Sequence, residues 1–135
     1  MWPMQAVPSL FIAYSSLGGR GVFTAAPIAE GTLIETCPVL VLPGAEKTFL
    51  DQSKLHDYYF IWGHDDEFCA LILGFGSLYN HAFSPNAWYQ ADYENHILDI
   101  YALKPIAAGE EITINYSGEP DGRMELWFED LNGLA

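Results

Sequence analysis

Short runs rich in β-branched and aromatic residues recur along the chain, at Leu10–Tyr14, Gly21–Ala25, Thr32–Leu42, Asp57–Trp62, Phe68–Leu73, Asn86–Ala91, His96–Ala102 and Ile112–Asn115. Each is bounded by Gly, Pro, Asn or Asp, the pattern of strands closed by turns. Asp92-Tyr93-Glu94-Asn95 reads as a hairpin loop joining two of them. Only Glu46–His56 and Arg123–Leu131 read as helical, the second from the partial amphipathic spacing of Met124, Leu126, Trp127 and Leu131. The pattern predicts a mainly β domain built from several short twisted sheets, with a short C-terminal helix.

One stretch is echoed. Pro27-Ile28-Ala29-Glu30-Gly31-Thr32-Leu33-Ile34 parallels Pro105-Ile106-Ala107-Ala108-Gly109-Glu110-Glu111-Ile112. In both, a proline opens a turn, a glycine takes a positive φ, and an apolar strand follows. Two copies are too few for a solenoid, so the echo predicts two similar corners of a folded sheet.

Composition narrows the class. At 135 residues the chain is long enough for one domain with a core and too short for two. Half the residues are hydrophobic, which argues against disorder. The longest apolar runs, Pro38–Leu42 and Ala70–Leu73, are strand-sized and far short of a membrane span. Met1-Trp2-Pro3-Met4 lacks the basic-then-apolar order of a secretory signal, so the expectation is a soluble intracellular protein without membrane contact. Cys37 and Cys69 lie in no CxxC and near no His at ligand spacing, and are expected as buried free thiols. Eighteen acidic against five basic residues give a formal charge of -13. That repels a phosphate backbone and disfavours direct nucleic-acid binding. It attracts basic peptides, although an acidic surface also serves solubility.

Candidate chemistry gathers in three places. Gly18-Gly19-Arg20-Gly21 lies between two strands; it lacks the third glycine and following helix of a dinucleotide fingerprint and the Lys-Ser/Thr of a P-loop, and by itself reads as a hairpin turn. Asn80-His81-Ala82-Phe83-Ser84-Pro85-Asn86 is polar after the apolar Leu78-Tyr79. Alone, His81 reads as a satisfied semi-buried histidine, since His56, His64 and His96 offer no converging metal ligands. Tyr116 closes Gly109-Glu110-Glu111-Ile112-Thr113-Ile114-Asn115-Tyr116, and alone reads as an amphipathic side chain whose hydroxyl finds a partner. Four fixed letters of the Asn-His string arise by chance in roughly one chain of this length in a thousand, at about 5% per residue type. The second string, following in order, lowers that by further orders of magnitude.

Together with Gly19-Arg20-Gly21-Val22-Phe23, these two strings resemble the SET-domain protein lysine methyltransferases, from about Leu10 to Tyr116. The resemblance implies a SET fold with a knotted C-terminal segment. It also implies S-adenosylmethionine as cofactor and a lysine in a basic protein, such as a histone, histone-like or ribosomal tail, as substrate. It places Gly19, Arg20 and Gly21 against the amino-acid end of the cofactor, and Asn80 and His81 against its methionine portion, His81 as a positioning residue. Tyr116 becomes the catalytic tyrosine, in contact with the cofactor as well. Tyr58, Tyr79, Tyr89 and Ile114 join Tyr116 along the lysine channel, with Tyr89 and Ile114 at positions that bear on how many methyl groups are added.

Departures from the family pattern are informative. Many members carry Cys where Phe83 stands and bind zinc with three further cysteines; here no Cys follows Cys69, so that zinc site cannot form and no metal is expected. The small viral and bacterial members also lack it. The whole chain is then one SET domain with 117–135 as a cysteine-free tail, in which Trp127 and Phe128 cover the adenine ring and one channel wall or simply dock the terminal helix. Two rival readings stand beside this one: a SET fold that binds basic tails without catalysis, and an unrelated acidic β domain. A homodimer is compatible with the aromatic surface. The site of action is expected to be cytoplasmic in a bacterium and nuclear if the substrate is a eukaryotic histone.

Overall fold

The alternation of Ile97-Leu98-Asp99-Ile100-Tyr101-Ala102 places Leu98, Ile100 and Ala102 on one buried face and turns Asp99 and Tyr101 outward. This strand is β8 (Ile97–Ala102). The structure, a computed structural model, describes residues 5–63 and 67–116. Over these residues the remaining strands are β1 (Leu10–Tyr14), β2 (Arg20–Thr24), β3 (Leu33–Pro43), β4 (Tyr59–Trp62), β5 (Phe68–Ile72), β6 (Asn80–His81), β7 (Ala87–Asp92) and β9 (Glu111–Ile114). They form a four-stranded sheet in the order β1-β2-β9-β6 and a five-stranded sheet in the order β4-β5-β3-β8-β7. The fold is mainly β, with two curled sheets closing on one core in which Val22, Ile34, Ile100, Ile112 and Ile114 have no exposed surface. No helix among the described residues is long and apolar enough to cross a membrane.

Every expected strand run is present, with ends shifted by a residue or two. The expected helix over Glu46–His56 is broken into a 3-10 turn at Gly44–Glu46, α1 (Lys47–Asp51) and a second 3-10 turn at Lys54–Asp57. Ser53 is the cause: its hydroxyl donates to the Leu50 carbonyl and accepts the Leu55 amide, closing one helix and capping the next. β6 was not expected, because two polar residues carry no alternation; its parallel partner is β9, with Asn80 opposite Thr113 and His81 opposite Ile114. The expected helix at Arg123–Leu131 lies outside the described residues. Cys37 and Cys69 are both buried and free.

The echoed corners pair with each other. Ile28 and Ile106 exchange both backbone hydrogen bonds, each 2.9 Å. Gly31 (φ +82°) donates to the Ala102 carbonyl, and Gly109 (φ +83°) donates to that of Thr24. Each corner thus ends on the strand that leads into the other. The same exchange lays β2 against β9 and β3 against β8, which brings the amino-terminal glycine loop beside the segment ending in Tyr116.

Candidate active site

Asn86 laces two segments of the site together. Its Oδ1 accepts the Thr113 amide at 2.8 Å, and its Nδ2 donates to the Glu111 carbonyl at 2.8 Å and to Glu110 Oε2 at 3.3 Å. The Ala82 amide donates to the Ile114 carbonyl at 2.9 Å. The loop carrying Asn80 and His81 is therefore held across β9 by backbone and side chain at both ends. Pro85 and Asn86 are buried, and the bond to the Thr113 amide is sheltered from water, while those to Glu110 and Glu111 are partly so.

A second cluster joins the glycine loop to β9. Glu111 accepts the Ser15 hydroxyl at 2.6 Å on Oε1 and the Asn80 Nδ2 at 2.8 Å on Oε2, and Asn80 Nδ2 also donates to the Arg20 carbonyl at 3.2 Å. Gly21 lies directly under this pair: a methyl group there would collide with the Glu111 carboxylate and come 2.7 Å from Asn80 Nδ2. Gly18 and Gly19 differ. Both have positive φ, and a methyl on either would meet nothing within 4 Å, so the loop leaves open space over its backbone. Arg20 is exposed at its end.

Tyr116 stands where these segments meet. Its hydroxyl donates to the Tyr79 carbonyl at 2.8 Å, and its amide donates to His81 Nδ1 at 3.1 Å. Its carbonyl accepts the Tyr89 hydroxyl at 3.1 Å. The His81 ring lies 5.2 Å from the Tyr116 ring and edge-on to Phe83 at 4.6 Å; Phe60 is edge-on to Tyr116 at 5.8 Å and to Tyr89 at 5.9 Å. Burial dominates the electrostatics. It pushes the Tyr116 phenol up to about 12, with Glu111 and Tyr58 adding to the shift, and the Tyr89 phenol to about 12, with Tyr93 adding. It lowers His81 to about 4. All three are neutral near pH 7, so the cluster is an uncharged aromatic box with hydroxyls and carbonyls at fixed points.

The expected site residues are distributed as follows. Asn80, His81, Tyr89 and Tyr116 come together, and Tyr58 is near enough to Tyr116 to act on its charge. Gly19, Arg20 and Gly21 lie alongside through Asn80 and Glu111. Ile114 is fully buried in β9. Tyr79 does not turn its ring toward Tyr116. That side chain is fully buried with its hydroxyl on Glu35 Oε1 at 2.7 Å, and it contributes its main-chain carbonyl instead. Trp127 and Phe128 lie outside the described residues. Phe60, Glu111 and Asn86 were not singled out from sequence as site residues, although Glu111 and Asn86 stand within the two motifs; nothing in the local pattern marks Phe60. Among the described residues no group of His, Cys, Asp and Glu could hold a metal ion.

Four similarities bear on this arrangement. The family model for the SET domain matches residues 19–117. A Schizosaccharomyces pombe protein named histone-lysine N-methyltransferase, H3 lysine-37 specific, is 36% identical over 113 residues, covering 83% of this chain and 71% of its own length. The crystal structure of a Plasmodium falciparum protein assigned as a histone methyltransferase superposes with a TM-score of 0.64 at 29% identity, covering 92% of this chain and 98% of its own. A chain of the Chaetomium thermophilum Polycomb Repressive Complex 2, in a humanized mutant bound to an inhibitor, gives a TM-score of 0.70 at 21% identity. The match covers 87% of this chain but 16% of that one, and speaks for the fold alone.

Proposed function

The chain belongs to the SET-domain family, and on that premise we propose that it transfers a methyl group from S-adenosylmethionine to the side-chain amine of a lysine in a basic protein. It is a protein-lysine methyltransferase whose substrate we read as a histone or a histone-like or ribosomal tail, matched to a surface of charge -13. The observation that carries the reading is the Tyr116 phenol, half-buried and neutral inside an aromatic box, its hydroxyl aimed by a hydrogen bond to the Tyr79 carbonyl and its backbone held by one to His81.

The residues present fit the cofactor. The open backbone at Gly18 and Gly19, together with Arg20, suits a ligand that ends in a carboxylate and an ammonium group, and Asn80, next to His81 in β6, is joined to this loop through the Arg20 carbonyl. When bound, S-adenosylmethionine supplies an electrophilic methyl group on a positively charged sulfur. Gly19, Arg20, Gly21, Asn80 and His81 would hold it, with Trp127 and Phe128 of the 117–135 tail proposed as its cover. We read that tail as zinc-free, as it contains no cysteine.

What the chain's own groups do follows from their charge. A lysine amine must arrive neutral, yet its free pKa is about 10.4. An uncharged box of Phe60, Tyr89 and Tyr116 disfavours the ammonium form and lowers that pKa. A phenol with a pKa near 12 is no proton acceptor at neutral pH, nor is an imidazole already accepting the Tyr116 amide. The proton therefore leaves through water, and the protein's contribution is alignment. The Tyr116 hydroxyl donates a hydrogen bond to the Tyr79 carbonyl at 2.8 Å, which fixes its oxygen, rather than its proton, as the group that meets developing positive charge.

Incubation with methyl-labelled cofactor and a panel of histones and other lysine-rich proteins tests this. Label on lysine is the expected outcome, with Tyr116→Phe slowing turnover about a hundredfold at near-normal cofactor affinity. No transfer by the wild-type chain to any of them, with no cofactor binding by calorimetry, overturns the reading; binding without transfer leaves a non-catalytic module.

A further inference from the structure

Glu35 sits in β3 between Ile34 and Thr36 and is only 5% exposed. A carboxylate there is costly unless its oxygens are hydrogen-bonded, and both are. Oε2 accepts the Phe75 amide at 3.0 Å, and Oε1 accepts the Tyr79 hydroxyl at 2.7 Å. The loop wraps closely around it: Gly74 has φ +64°, and a methyl group at that position would collide with Glu35 Oε2. An apolar side chain here would leave the Phe75 amide and the Tyr79 hydroxyl without these acceptors, so what the carboxylate supplies is hydrogen bonding rather than packing.

The other end of Tyr79 shows what that bonding holds. The ring is fully buried with its hydroxyl on Glu35, while the carbonyl of the same residue accepts the Tyr116 hydroxyl at 2.8 Å. Turning the peptide after Tyr79 would swing the backbone against a ring anchored at its tip. Glu35 belongs to the five-stranded sheet, and Tyr79 leads directly into β6 of the other. The two bonds thus link the sheets through one residue.

We propose that Glu35, acting through the Tyr79 side chain, is a positioning residue that fixes the direction of the Tyr116 hydroxyl. The proposal rests on the methyl-transfer reading above for its kinetic consequence and on geometry alone for its structural one. Tyr79→Phe lowers kcat about tenfold and leaves the KM for cofactor within about twofold. In a Tyr116→Phe background the same change costs nothing further, because there is no hydroxyl left to aim. An equal loss in both backgrounds is the mark of a scaffold and overturns the proposal.

A second arm needs no activity. In the cofactor-free wild type the Tyr116 hydroxyl proton gives a slowly exchanging NMR resonance, which moves in Tyr79→Phe and in Glu35→Gln, a variant that keeps the shape and withdraws one accepting oxygen. An unmoved resonance, or a wild-type proton too labile to observe, overturns the proposal even where a variant fails to fold. If the wild type transfers no methyl group, the reaction reading falls while this arm still decides the relay.

Discussion

The Tyr89 hydroxyl reaches the Tyr116 carbonyl at 3.1 Å while its ring meets the edge of Phe60. A group so placed leaves little room for a bulkier amine beside it. Wild-type product is therefore expected as mono- and dimethyl-lysine, with Tyr89→Phe raising the trimethyl share by mass spectrometry; wild-type trimethylation unchanged by the substitution rejects the assignment. His81 makes a different prediction. Burial lowers its pKa from 6.5 to about 4, so between those values the unfolded chain binds a proton that the folded chain refuses. This destabilisation is absent above pH 6.5, grows as pH falls, and is complete near pH 4. His81→Asn should flatten that part of a melting-temperature profile. Asn80, His81 and Tyr116 were legible through the two motif strings and the family they resemble; taken singly, the histidine and the tyrosine read as ordinary packing residues. Glu35 was not legible, since an acid within a strand ordinarily marks the solvent face. A shift in register between Leu33 and Glu35 against β8 goes with its burial here. Phe60 was equally hidden, because its partners Tyr89 and Tyr116 are joined to it only by folding.

At the level of elements, the strands could be read from β-branched and aromatic runs closed by turn residues, and the strand orders could not. β6 is two residues long and parallel to β9; a pairing that short has no sequence period to reveal it. What holds it is a side chain. Asn86→Ala would strip a buried acceptor from the Thr113 amide and a donor from the Glu111 carbonyl. Two orphaned groups at about 1–3 kcal/mol each predict a loss on the order of 2–6 kcal/mol in urea unfolding. A loss below about 1 kcal/mol would mean that the segment is held by other contacts. The broken helix around Ser53 shows the same competition, a hydroxyl interrupting the single helix expected over Glu46–His56.

Over the whole molecule, charge and closure matter most. With a formal charge of -13, kcat/KM for a lysine-rich peptide should fall roughly tenfold between about 0.01 M and about 0.15 M salt, while kcat at saturation changes little. A salt-independent kcat/KM would assign the acidic surface to solubility instead. The reciprocal corners carry a separate consequence. Since Gly31 and Gly109 each bond to the strand feeding the opposite corner, neither half of the polypeptide owns a finished set of backbone partners. Folding should then be all-or-none and governed by a late, non-local closure. A molecule nicked in the exposed turn after Asp92 would stay assembled and active, whereas its two pieces, once separated, would regain shape only in each other's company.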